Sequence, residues 1–287
     1  MTGAIAWEQA LAHVAALATG EPGDPSWRVT LHFHPDRWTP APAGPVPILV
    51  AMAHAGVYRS QFETGTSNGG LTAHAGGDRW RWESRIFGGA YDREPAAARP
   101  KYGSLNFRGR LIGGSPRFGS AHLRLAPHVQ SRTTFCYPDS VFEPEHFAVT
   151  SSLSALVARA RAQDHDPEAW DPLDDYVEAH VHGEIHLDRD VEALVLDPCY
   201  RGTEFEELAG RLGCAVQWHG GFVLDTMLLR QHPDYRGAEF VALGLSLARD
   251  NRLDPRIIGD AARTGGYDPQ ALKRVWHYVA RFGTPEP

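Results

Sequence analysis

From Tyr176 to Gly183 the chain alternates polar and apolar side chains with a period of two. Such a run is a strand with Tyr176, Glu178, His180 and His182 on one face and Val177, Ala179 and Val181 on the other. The apolar face belongs to the core, and the polar face is expected to line something wet. An acid between a tyrosine and two histidines is costly to bury unpaired, so Glu178 is either part of a satisfied polar network or a working carboxylate.

The β-branched, alternating run Arg28–His34 predicts another strand, further strands are expected at His122–Leu125, Arg132–Tyr137 and Ala215–Trp218, and Val191–Leu196 reads as a buried strand. His32 and His34 leave the first of these on one face. The polar segment Gly56–Gly70 reads as strand-like with a small-residue end able to wrap an anion, and the Trp/Arg alternation of Asp78–Arg85 reads as a twisted surface strand. A glycine-rich hairpin is expected from Gly113 to Gly119. Helical periodicity is expected at about Ile5–Ala18, Ser151–Ala162 and Glu204–Leu212, and in several short helices after Asp225 broken by Pro233, Pro255 and Pro269. Strands in the middle and helices at both ends make the fold class α+β.

A chain of 287 residues can bury a sizeable core. No run approaches the roughly 18 apolar residues of a membrane span, so no membrane partner is expected. Three cysteines, an odd number, fit a reducing compartment. Cytoplasmic synthesis is the expectation, and export as an effector by a dedicated apparatus would leave the same signature. A net charge of -7 argues against nucleic acid as the main partner. Arginine outnumbers lysine in the middle third, which points to a small anionic ligand held by guanidinium forks.

Neither a Rossmann nor a P-loop glycine pattern occurs, and no G-x-S-x-G elbow is present. His182-Gly183-Glu184 with Pro198-Cys199 departs from the zinc deaminase pattern, because Gly202 stands where a ligand would be needed. One alternative remains: a metal-dependent hydrolase built on His32, His34, His180 and His182 with an acid such as Asp225. A binding module using Trp80 and Trp82 as a contact surface is another.

Three linked segments, His32–Arg37, Tyr58–Gly70 and Arg99–Gly103, resemble an uncharacterised bacterial family. That family is similar to bacterial effectors that ADP-ribosylate a threonine of ubiquitin. The resemblance implies an ADP-ribosyltransferase-like split β-sandwich over residues 29–222, with an N-terminal helical cap over 1–28 and a C-terminal helical extension over 223–287. It implies NAD as substrate, no metal, and a protein acceptor for which ubiquitin is a candidate. It assigns catalysis to Glu178 and NAD binding to His32, His34, Arg37, Thr66, Ser67, Asn68 and Tyr102. Tyr176 stands where arginine-modifying relatives carry a second acid, so a Thr or Ser hydroxyl is the expected acceptor, with hydrolysis of NAD as an open alternative. The chemistry suits the residues: cleavage of the nicotinamide–ribose bond passes through an oxocarbenium-like state that a fixed carboxylate stabilises.

Overall fold

The period-two segments become the strands of one sheet. A computed structural model describes residues 5–65, 72–163 and 170–284. In chain order the principal elements are α1 (Ala6–Leu17), β1 (Val29–Phe33), α2 (Ile48–Ala55), α3 (Asp78–Ile86), β2 (Lys101–Leu105), β3 (Ala121–Leu125), β4 (Thr133–Tyr137), β5 (His146–Val149), α4 (Leu153–Gln163), β6 (Glu178–Val181), β7 (Val191–Leu196), α5 (Glu204–Ala209), β8 (Ala215–Trp218), α6 (Thr226–Arg230), α7 (Ala238–Leu247), α8 (Pro255–Thr264) and α9 (Pro269–Phe282). The eight strands run in the order β8-β7-β3-β1-β2-β6-β4-β5. Every neighbouring pair is antiparallel except β7 with β8. The class is therefore α+β, with a large mixed sheet.

Register carries the polar residues into rows. Thr30 pairs with Ser104, Ser104 with Glu178, and Glu178 with Cys136, so one line of polar side chains crosses β1, β2, β6 and β4. The next row sets Tyr102 opposite His180 and His180 opposite Thr134. Alternate positions supply the other face: Leu31, Leu123, Phe135 and Ala179 are fully buried in the main hydrophobic cluster. Gly103 is required on β2, since a Cβ there would lie 2.5 Å from Leu31 Cδ2 and 2.6 Å from the Thr30 carbonyl.

Two further apolar clusters flank this one. Ala10 and Val14 of α1 pack with Trp82, Ile86, Phe87 and Tyr91, and the second cluster joins Phe222 to α6 through α9. Trp276 of α9 ties that helical region to the sheet, donating its indole N–H to the Pro116 carbonyl at 3.0 Å and meeting His34 edge-on at 4.8 Å. Among the described residues no helix is long and apolar enough to cross a membrane.

Several local expectations are corrected. Asp78–Ile86 is a helix, not a strand: Arg79, Trp82, Glu83 and Ile86 share its buried face at spacings of three and four. Two tryptophans two apart thus lie on different sides, and Trp82 is core. Of the strand-like reading of Gly56–Gly70, the described residues up to Gly65 hold a strand at Val57–Tyr58 and then a single helical turn at Gln61–Thr64 capped by Ser60 and Glu63, and residues 66–70 lie outside the described residues. The expected hairpin at Gly113–Gly119 contains a 3-10 turn at Pro116–Phe118. Pro255 and Pro269 start helices, each behind an aspartate cap, instead of breaking them.

Candidate active site

The polar rows open into a pocket of about 180 Å³, walled by β1, β2, β6, α2, α3 and the turn after β4. Glu178 sits in its wall and is 5% exposed. His180 Nε2 lies 2.9 Å from its Oε1, and Ser140 Oγ donates to Oε2 at 3.1 Å. Burial alone would raise the Glu178 carboxyl, but the hydrogen bond from His180, the Arg79 charge and the Ser140 hydroxyl outweigh it and hold the pKa below the ordinary value. Glu178 is thus an ionised carboxylate facing a cavity.

A second acid enters from a different part of the chain. Asp139, 3% exposed, also lines the pocket. It caps the turn at Ser140–Phe142 by accepting from the Val141 amide, and its other oxygen accepts from the Tyr176 hydroxyl. Burial and the neighbouring Glu178 charge push its pKa up to about 6. Tyr176 therefore does not lack an acid partner, since it holds one delivered by the turn.

The pocket's counter-charge is Arg79, 3% exposed on the inner face of α3. Its guanidinium lies 3.9 Å over the Tyr102 ring, and its Nε and Nη1 meet no acceptor among the described residues. Buried guanidinium donors are seldom left unmatched, and these two N–H groups are free for an anion. Tyr102 is committed elsewhere: its hydroxyl donates to Glu83 at 3.0 Å, and Glu83 is also bound by Arg99 at 2.6 Å. Arg37, Arg59 and Arg117 complete the basic lining.

The residues singled out from the sequence divide. Glu178, His32, Arg37 and Tyr102 come together in the pocket. His32 is a neutral wall: the Ser115 amide donates to its Nε2 at 3.2 Å, which leaves Nδ1–H to donate to the Gly119 carbonyl at 3.2 Å. Burial lowers its pKa to about 3, so it brings no charge to a phosphate. His34 is buried against Trp276 and is outside the pocket lining. Thr66, Ser67 and Asn68 lie outside the described residues. The polar face of β6 is wet only at its start. Tyr176 and Glu178 line the pocket, whereas His180 and His182 are fully buried behind them.

The four-histidine metal set is not assembled. His32 bonds to the Ser115–Gly119 segment, His180 and His182 meet at Thr134, and Asp225 is an exposed cap of α6. Among the described residues one trio brings three ligand atoms within 4.8 Å of one another: Cys136, Glu178 and His180. The Cys136 sulfur lies 3.9 Å from both partners, and burial raises its thiol well above the ordinary value.

Sequence reasoning singled out none of Arg79, Cys136, Asp139 and Ser140 as a site residue. The spacing 79, 82, 83, 86 was the signal for Arg79, because it places an arginine on the apolar side of a helix. No curated protein matches the chain. A family model described as a protein of unknown function, DUF3626, matches residues 28–165 and 148–281, and the chain belongs to that family.

Proposed function

We propose that this protein is an NAD-dependent mono-ADP-ribosyltransferase of the split β-sandwich type, acting on a hydroxyl of a protein acceptor. The observation that carries the reading is a single pocket pairing an ionised buried carboxylate, Glu178, with a buried guanidinium, Arg79, that keeps two N–H groups uncommitted. A dinucleotide with a pyrophosphate and a positively charged glycosidic leaving group matches both charges. The placement of His32, Tyr102 and Glu178 on the adjacent strands β1, β2 and β6 supports the family resemblance.

In this reading Arg79, with Arg37 nearer the rim, binds phosphate oxygens. Glu178 accepts from the ribose hydroxyls and stabilises the positive charge that grows on the ribose as nicotinamide departs with the bonding electron pair. Asp139 takes the proton of the attacking hydroxyl as the new C–O bond forms. Ubiquitin is the acceptor to test first, and export as an effector belongs to the same proposal.

The test is nicotinamide release from NAD by the purified protein, beside Glu178→Ala, with EDTA and with ubiquitin added or omitted. Release that survives EDTA and is lost in the variant supports transfer, and ubiquitin labelling names the acceptor. Absence of both release and NAD binding overturns the proposal.

The Cys136–Glu178–His180 trio favours one second reading, a metal-dependent hydrolase with these ligands in place of the four histidines. The Arg79 charge beside Glu178 opposes a cation there. Stoichiometric zinc, with activity abolished by chelation, would establish the second reading over the first.

A further inference from the structure

Glu178 is the inner end of a chain of four buried hydrogen bonds. Its Oε1 meets His180 Nε2 at 2.9 Å, and Nδ1 of the same ring meets the Thr134 hydroxyl at 3.1 Å. That hydroxyl meets His182 Nε2 at 3.1 Å, and His182 Nδ1 meets the Tyr91 hydroxyl at 2.7 Å. His180, His182 and Tyr91 have no exposed surface and Thr134 is 1% exposed, so bulk water does not compete for any of these bonds. Phe87 closes the cluster, edge-on to His180 at 5.6 Å and to His182 at 5.1 Å.

The direction of each bond follows from what its atoms can do. An ionised carboxylate only accepts, so His180 Nε2 carries a proton. In a neutral ring Nδ1 must then accept, and the one donor facing it is the Thr134 hydroxyl. With its proton so used, Thr134 accepts from His182 Nε2–H, and His182 Nδ1 accepts from Tyr91. The reverse direction requires an imidazolium at His180. Arg79 already supplies a buried cation to Glu178, and Arg132 and Lys101 bring further positive charge to the His182 side. An imidazolium at His180 would share the single Glu178 carboxylate with Arg79 while facing the positive charge of Arg132 and Lys101.

We infer that Thr134 is a positioning residue for Glu178, acting through a one-way chain from Tyr91 to His182, Thr134 and His180 that fixes His180 as its Nε2–H tautomer. The inference rests on Glu178 being the working acid of the pocket. The chain pins Oε1, Ser140 holds Oε2, and the remaining lone pairs are left facing the cavity. It also explains why two adjacent polar positions of a strand interior are histidines that never reach the cavity. Each supplies one donor and one acceptor in line, which Lys or Arg cannot.

The experiment is nitrogen-15 NMR of the histidine rings in the full chain, for wild type, Thr134→Val, Thr134→Ser and Tyr91→Phe, together with steady-state NAD cleavage. The inference expects His180 and His182 both neutral and both Nε2–H in wild type. It expects tautomer exchange at His180 in Thr134→Val and recovery in Thr134→Ser. With cleavage active, Thr134→Val should lower kcat about 10- to 100-fold with KM changed by less than about threefold, as for residues that orient a functional ligand. Thr134→Ser should restore kcat. If Thr134→Val does not fold, Tyr91→Phe carries the test, because removing only the outermost donor should still loosen the His182 tautomer. A doubly protonated His180, a His182 of the Nδ1–H form, or a Thr134→Val protein with unchanged tautomers and kcat overturns the inference. An inactive wild type with the expected tautomers would overturn the transferase reading instead.

Discussion

Glu178 and Arg79 are opposite buried charges lining one pocket, and single substitutions should separate their roles. Glu178→Gln keeps the volume and most hydrogen-bonding capacity but removes the negative charge. NAD cleavage should fall by about 100-fold or more while NAD affinity changes little. A variant that still turns over at the wild-type rate would remove Glu178 from the chemistry. Arg79→Met removes two charge-assisted donors worth about 1.5–3 kcal/mol together, so NAD should bind roughly 10- to 100-fold more weakly by calorimetry. Arg79→Lys should not recover the loss, because a point charge cannot reproduce the fork or its stacking on Tyr102. Asp139→Asn can still cap its turn. A rate of transfer to the acceptor that stays at the wild-type level would show Asp139 to be a cap only.

At the scale of the element, β2 is the strand on which the pocket depends, since it holds Tyr102 and Ser104 between the carriers of His32 and Glu178. Gly103→Ala would drive a methyl into the β1 backbone and Leu31. The expected cost is about 1–3 kcal/mol of stability in urea unfolding, with NAD affinity reduced because β1 and β2 must separate. An unchanged midpoint would mean that the two strands yield without strain. α3 makes the complementary point. Its alternating Trp and Arg positions satisfy a period of two as readily as a period of three to four. The choice went to the helix because that puts Trp82 and Ile86 onto α1 and lays Arg79 across Tyr102.

For the whole molecule, Asp190 is an anchor between distant segments. It accepts from Arg189, His128 and the His186 amide and pairs with Arg132 at 3.1 Å. Burial would raise its carboxyl, but the Arg189 and His128 hydrogen bonds, the His186 amide and the Arg132 charge hold it well below the ordinary 3.8. A depressed folded pKa means that the unfolded chain binds the proton more readily. Its contribution is therefore complete above about pH 4 and is lost as pH falls through the folded value. The thermal midpoint difference between wild type and Asp190→Asn should be largest at pH 6–7 and shrink steadily below about pH 4. A difference that stays constant down to pH 2 would show that the ion pairs contribute nothing to folding.

The strands β1, β3, β4, β6 and β8 were legible because a strand with one polar and one apolar face writes them into alternate positions, and β7 because it is a short apolar run; both signals are local. Glu178 was legible for the same reason, as an acid out of place in such a strand. What the sequence could not determine was register, since sliding a strand by two residues preserves its pattern while changing its partners. Only the folded sheet sets Glu178 beside Ser104 and Cys136 and His180 beside Thr134. Only the tertiary structure carries Asp139 to Tyr176, Arg79 to Tyr102 and Tyr91 to His182, contacts between residues 23 to 91 positions apart. Local patterning records which side of an element is buried. It does not record what lies opposite, and the chemistry of this pocket is made of what lies opposite.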